Sequence, residues 1–151
     1  MREILLAIGY PEPGLSIQRE LGKRGYKTEL VYTCSEIGKI IGALEGTNTD
    51  AVILGSDIIS AFPDEARNLV ELIYGRKGRP IPLITCMMQP ESRVLSEVRE
   101  LAKLGDYVVS HPTEPLDPYF ALRCLEDYGR SGLGRSHEVS LQALRSMGSK
   151  L

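Results

Sequence analysis

Few segments of this chain carry residue types and spacings that could do chemistry. The first is Gly9–Ser16 (GYPEPGLS), which has the glycine, four residues, glycine, one residue, serine spacing of a phosphate-cradling loop. In such loops backbone N–H groups hold the phosphates and a lysine reaches the β- and γ-oxygens. Here Leu15 stands at the lysine position, and Pro11 and Pro13 remove two of the N–H groups. A proline-stiffened turn is the expectation, not a nucleotide site. His111 and His137 lie on separate segments, and Cys34, Cys86 and Cys124 are scattered, so no zinc-ligand spacing arises. Cys86-Met87-Met88 offers soft ligands but reads as core filling. Asp57 reads as a loop aspartate or a helix-initiating residue. Arg76, Lys77 and Arg79 suit a solvated helix end. No Ser-His-Asp or Cys-His set can be assembled, so neither catalysis nor a cofactor is expected.

The elements that position these residues follow from two alternating periodicities. Short aliphatic runs at Glu3–Ile8, Lys27–Tyr32, Ala51–Leu54, Ile81–Thr85 and Tyr107–Val109 read as strands buried on both faces. Between them, Ile37, Ile40, Ile41 and Leu44 fall at helical spacing, as do Ala66, Leu69, Val70 and Ile73, and then Val94, Val98, Leu101 and Ala102. Weaker helices are expected at about 15–24 and 116–128. Gly25, Gly46, Gly75, Gly105 and Gly129 each follow a proposed helix, where a left-handed cap favours glycine. Alternating strands and helices imply a parallel sheet with right-handed crossovers, hence an α/β/α three-layer sandwich. Its ligand crevice should lie just past the C-terminal ends of the strands.

Composition agrees with one α/β domain. Of 151 residues, 42% are hydrophobic and 25% charged, too apolar for disorder. Eighteen basic against twenty acidic side chains leave a net charge of −2, unlike a nucleic-acid binder. Three cysteines without a CxxC pair suit a reducing cytoplasm. No signal peptide is evident, and no apolar run approaches the ~20 residues of a membrane span. After Gly129 a Gly/Ser/Arg stretch begins. Residues 130–151 are expected to form a linker or a short C-terminal helix, leading to an output domain or a docking partner.

Five βα units, the proline-led strand RPIPLITC and the segment LGDYVVSHPTEPLDPYFALRCLED together resemble the receiver domain of response regulators, over residues 1–129. The resemblance implies a five-stranded (βα)5 CheY-like, flavodoxin-like fold. It also implies an acidic pair after the first strand and an aspartate ending the third. These hold Mg²⁺, and the aspartate accepts a phosphoryl group. A threonine after the fourth strand and a lysine after the fifth would contact the phosphoryl oxygens. In this chain Ile8 and Gly9 replace the acidic pair, and Gly55 replaces the acceptor. Thr85 is kept, and Ser110 or His111 takes the lysine position. The expectation is therefore a degenerate pseudo-receiver with no metal site.

Such a module would act through protein–protein contacts, as the N-terminal regulatory part of a larger two-component regulator. The resemblance implies a partner, an output domain or a second copy meeting the face of the fourth helix, fifth strand and fifth helix. Arg93, Glu97, Tyr107, Arg123 and Asp127 are the candidate contacts. No membrane and no direct nucleic-acid contact are expected. The alternative is a small-ligand sensor, in which the glycines at 9 and 55 open room for a metabolite in the crevice.

Overall fold

The computed structural model describes residues 2–42, 48–75, 81–90, 93–109, 113–128 and 137–139. Gly46, Gly129, Leu44, Ser110, His111 and the 76–80 basic cluster lie outside them.

Strands β1 (Glu3–Ala7), β2 (Lys27–Leu30), β3 (Ala51–Gly55), β4 (Leu83–Cys86) and β5 (Tyr107–Val109) form a parallel sheet in the order β2-β1-β3-β4-β5. The order reverses between β1 and β3, the topological switch point of a doubly wound sheet. Alternate residues along each strand point to opposite layers. Leu5, Ala7, Val52, Leu54, Leu83 and Val108 pack under helices α2 (Cys34–Ile41), α3 (Ser56–Ala61), α4 (Pro63–Gly75) and α5 (Ser96–Ala102). Ile4, Leu6, Ile53, Ile84, Cys86 and Val109 face helices α1 (Pro11–Lys23) and α6 (Asp117–Tyr128). This is the expected three-layer sandwich, held by apolar burial on both faces of the sheet.

Register is reinforced twice by the same local device. The carboxylate of Asp50, one residue before β3, accepts the N–H groups of Arg2 (2.8 Å) and Glu3 (2.9 Å) on the neighbouring β1. Asp106, one residue before β5, accepts Leu83 N–H of β4 at 2.8 Å, and its own N–H returns to Leu83 O at 2.7 Å. Each aspartate satisfies a strand-start donor that the ladder leaves open.

Several details depart from the sequence reading. The GYPEPGLS segment is not a turn. Pro11 starts α1, with Pro13 in the first turn, where the missing N–H groups have no intrahelical partner to lose. An extra helix, α3, follows β3 directly. Phe62 leaves the helical conformation before Pro63 (φ −141°, ψ 75°), as a pre-proline residue tends to, and this separates α3 from α4. The helices expected as fourth and fifth are thus α5 and α6. Among the described glycines only Gly25 takes a left-handed φ, at 90°, so Gly75 and Gly105 are not left-handed caps. Gly105 answers to space: a Cβ there would come within 3.1 Å of Leu83 O. Finally, within residues 130–151, where a linker or short helix is expected, the described residues His137–Val139 form a strand, β6, parallel to β5 on its outer side. No helix among the described residues is long and apolar enough to cross a membrane.

Candidate functional site

The switch point lies where β1 is followed by Ile8-Gly9-Tyr10 and β3, closing at Gly55, is followed by Ser56-Asp57. Because α3 begins immediately after Gly55, Asp57 falls in its first turn, and its side chain turns back over the strand ends. Its carboxylate accepts Tyr10 N–H at 2.9 Å across the switch point and Ile58 N–H at 3.0 Å on its own helix. The Gly9 and Asp57 N–H groups also contribute. Burial raises the Asp57 carboxyl above the ordinary aspartate range, and these N–H donors pull against the rise without cancelling it.

That carboxylate fills the space that the two glycines vacate. A Cβ on Gly55 would overlap Asp57 Oδ1 and come within 2.9 Å of Ile8 Cδ1 and 3.2 Å of Met88 Cγ. A Cβ on Gly9 would meet Asp57 Oδ2 at 2.9 Å. Glycine at both positions is therefore matched to an inward-turned Asp57. The space beside the two glycines is met by Asp57, Ile8 and Met88.

The loops above the sheet are tied together by hydrogen bonds. Ser56 Oγ accepts Met88 N–H at 2.8 Å, joining the ends of β3 and β4. Gln89 Nε2 donates to Tyr10 Oη at 2.7 Å, joining the loops after β4 and β1. Thr113 Oγ1 donates to Met87 O at 2.9 Å, bringing in the segment after β5. Asp117, at the start of α6, is buried and accepts Glu114 N–H at 2.6 Å.

Of the expected pocket residues, Ile8, Gly9 and Gly55 come together here. Thr85 does not. It faces the α5 layer, fully buried, and its hydroxyl donates to Ala102 O at 2.6 Å. The residue level with Gly55 across the ladder is Cys86, one position further on. Cys86 is wholly buried, and burial, with Asp117 and Asp57 nearby, pushes its thiol far up, which favours the unreactive protonated form. Ser110 and His111 lie outside the described residues. Among the described residues no three of His, Cys, Asp and Glu gather as a metal site would require. Sequence reasoning passed over Tyr10, Ser56 and Gln89, and it took Asp57 as a loop or helix-initiating residue and Met88 as core filling; Asp57 does lie in the first turn of α3, but its carboxylate also reaches across the switch point. The available signal was the pair of glycines at two adjacent strand ends with a carboxylate two residues past one of them.

The proposed contact residues lie on or beside α5, β5 and α6. Arg93 is exposed, and Glu97 on α5 pairs with Arg67 of α4 at 2.8 Å. Arg123 pairs with Asp127 at 3.8 Å on α6, in the opposite layer. Tyr107 is a correction: it is 5% exposed, because odd positions of β5 point into the α1/α6 core. With β6 in place, β5 is no longer the edge strand.

No family model matches the chain, and no curated protein does. Solved structures do. A response regulator receiver protein from Burkholderia phymatum aligns at 14% identity over 82% of this chain and 93% of that one, with TM-score 0.59. The signal receiver domain of an HD domain-containing protein from Pseudomonas fluorescens Pf-5 aligns at 16% identity over 99% and 90%, with TM-score 0.59. The N-terminal domain of a response regulator/sensory box/GGDEF 3-domain protein from Carboxydothermus hydrogenoformans aligns at 20% identity over 84% and 96%, with TM-score 0.58. The class is thereby defined: the fold is that of response regulator receivers. Within that class this chain is a receiver-fold domain with glycine, not aspartate, closing β3.

Proposed function

We propose that this chain is a receiver-like signalling module that is not phosphorylated and acts through protein contacts. One observation carries the reading: the Asp57 carboxylate, hydrogen-bonded across the β1–β3 switch point, occupies the space over Gly55 that an acceptor side chain would need. Phosphoryl transfer to aspartate requires a carboxylate held open to an in-line donor, with Mg²⁺ on oxygen ligands beside it. Ile8 and Gly9 supply no side-chain oxygen where the receiver resemblance implies an acidic pair. Asp57 spends its oxygens on backbone N–H groups, which holds the loops in one arrangement without a metal or a phosphate.

A fixed arrangement suits a scaffold or a constitutive partner of a larger cytoplasmic regulator, not a switch. Among the described residues β6 is the edge strand on that side of the sheet, and it is the edge offered to a partner or to a second copy. The test is incubation with acetyl phosphate, or with beryllofluoride, in Mg²⁺, read by intact mass and by amide shifts at Tyr10 and Met88. The expected result is no adduct and no shift. Stoichiometric phosphorylation or beryllofluoride binding overturns the reading. Light-scattering mass across a concentration series then distinguishes self-association from binding to another protein.

A further inference from the structure

At the end of the sheet opposite the crevice lies a polar cavity of about 280 Å³, lined by Arg2, Arg24, Tyr26, Tyr119, Arg123 and Glu126. Arg2 leads into β1, Arg24 and Tyr26 belong to the α1–β2 turn, and the other three lie on α6. Three guanidinium groups therefore meet the lining Glu126 carboxylate, which already accepts the Tyr26 hydroxyl at 2.9 Å, and Asp127 just outside the lining offsets only Arg123. Gathering guanidinium groups costs Coulomb energy unless an anion joins them.

Each guanidinium is held by contacts that leave donors over. Arg2 Nη1 donates to Gly25 O at 3.4 Å. Gly25 is required for that approach, because a Cβ there would lie 2.9 Å from Arg2 Nη1 and its φ of 90° is a glycine conformation. Arg24 stacks on the Tyr119 ring, with its Cζ 4.5 Å from the centroid. Arg123 reaches Asp127 at 3.8 Å, while its Nε is buried without a hydrogen-bond partner. Planar guanidinium forks fixed in this way match the oxygens of a phosphoryl group.

We propose that this cavity binds the phosphoryl group of a small phosphorylated metabolite. Its volume lies near the lower end of the ~300–1,000 Å³ typical of ligand pockets, which admits a compact molecule. The bound anion would tie the start of β1, the α1–β2 turn and α6 to one another. The site is independent of the crevice, so this inference and the receiver-like reading can fail separately.

The test is calorimetric titration of the full chain with inorganic pyrophosphate at low chloride. One-to-one saturable binding is expected. Arg24→Gln and Arg123→Gln should each weaken it about tenfold, the worth of one charged hydrogen-bonding partner. Arg19→Gln, exposed on α1 outside the cavity, should leave it unchanged. Should a cavity variant fail to fold, amide titration of the unmodified chain decides, with Gly25 and the arginine Nε–H signals expected to move to saturation. No saturation by about 10 mM, far weaker than any useful affinity, overturns the proposal. So does equal loss in Arg19→Gln, tighter binding of a thymidine oligonucleotide than of pyrophosphate, or shifts confined to other regions.

Discussion

Replacing Gly55 by aspartate puts a carboxyl where the receiver resemblance expects the phosphoryl acceptor, and this structure resists it. The new Cβ would overlap Asp57 Oδ1 and press on Ile8 Cδ1 at 2.9 Å and Met88 Cγ at 3.2 Å. Asp57 can yield only by releasing Tyr10, Gly9 and Ile58 N–H groups. Overpacking a filled site costs ~1–3 kcal/mol, and leaving buried donors without their acceptor costs a further ~1–3 kcal/mol. Two ionised carboxylates about 4 Å apart would add ~4 kcal/mol at an effective dielectric of 20, but such a pair avoids most of that by sharing a proton. A total of about 4 kcal/mol lowers Tm by ~8–16 °C in a chain of this size. Scanning calorimetry of Gly55→Asp, Gly55→Ala, Asp57→Ala and the Gly55→Asp/Asp57→Ala double variant measures it. Gly55→Ala should show the steric part alone, ~1–3 kcal/mol. The double variant should recover stability, with a coupling of about 2 kcal/mol. A Gly55→Asp protein that melts at the parent temperature, or additive single effects, refutes the reasoning.

The Asp57 carboxyl is raised above the ordinary aspartate value of 3.8 by burial, so the folded state keeps its proton to higher pH than the unfolded chain. Its contribution to stability is full below the unfolded value and is lost as pH rises through the raised folded value. Asp57→Asn should remove that decline in urea titrations from acid to neutral pH, and a constant difference between the two proteins contradicts the burial argument. Thr85→Val deletes the hydrogen bond to Ala102 O, which still accepts Gly105 N–H, and should cost about 1 kcal/mol. Its Tyr10 and Met88 amide signals should stay in place; if they move, Thr85 does communicate with the crevice. All three thiols are free and buried, and burial with Glu65 nearby pushes Cys34 up to about 12. A disulfide reagent at mildly alkaline pH should therefore titrate none of them until denaturant is added, and rapid reaction of any one in the native protein contradicts its placement.

The layers of this fold were legible in local patterns. Short apolar runs such as Ala51–Leu54, bounded by turn residues, fit strands covered on both faces, and the Ala66, Leu69, Val70, Ile73 stripe fits one side of a helix. These signals survive because strand and helix periodicities act between residues a few positions apart. That Ile8, Gly9 and Gly55 stand where the receiver resemblance implies carboxylates was legible too, since it depends only on residue identity. Other features were not. Proline at 11 and 13 looks like a turn until a helix needs residues without N–H groups at its start. Thr85 looks like a crevice residue until strand pairing sets Cys86 level with Gly55 and turns Thr85 toward α5. Asp57 gains its role from Tyr10 N–H, 47 positions away, and the arginine cavity is assembled from residues 2, 24 and 123. The sequence by itself thus determined the layered architecture and which residues stand at the ends of β1 and β3, because burial pattern and residue identity are local properties. What fills the crevice, and what the far end of the sheet can hold, only the tertiary structure decided, because those contacts exist only once the strands have paired and the helices have packed.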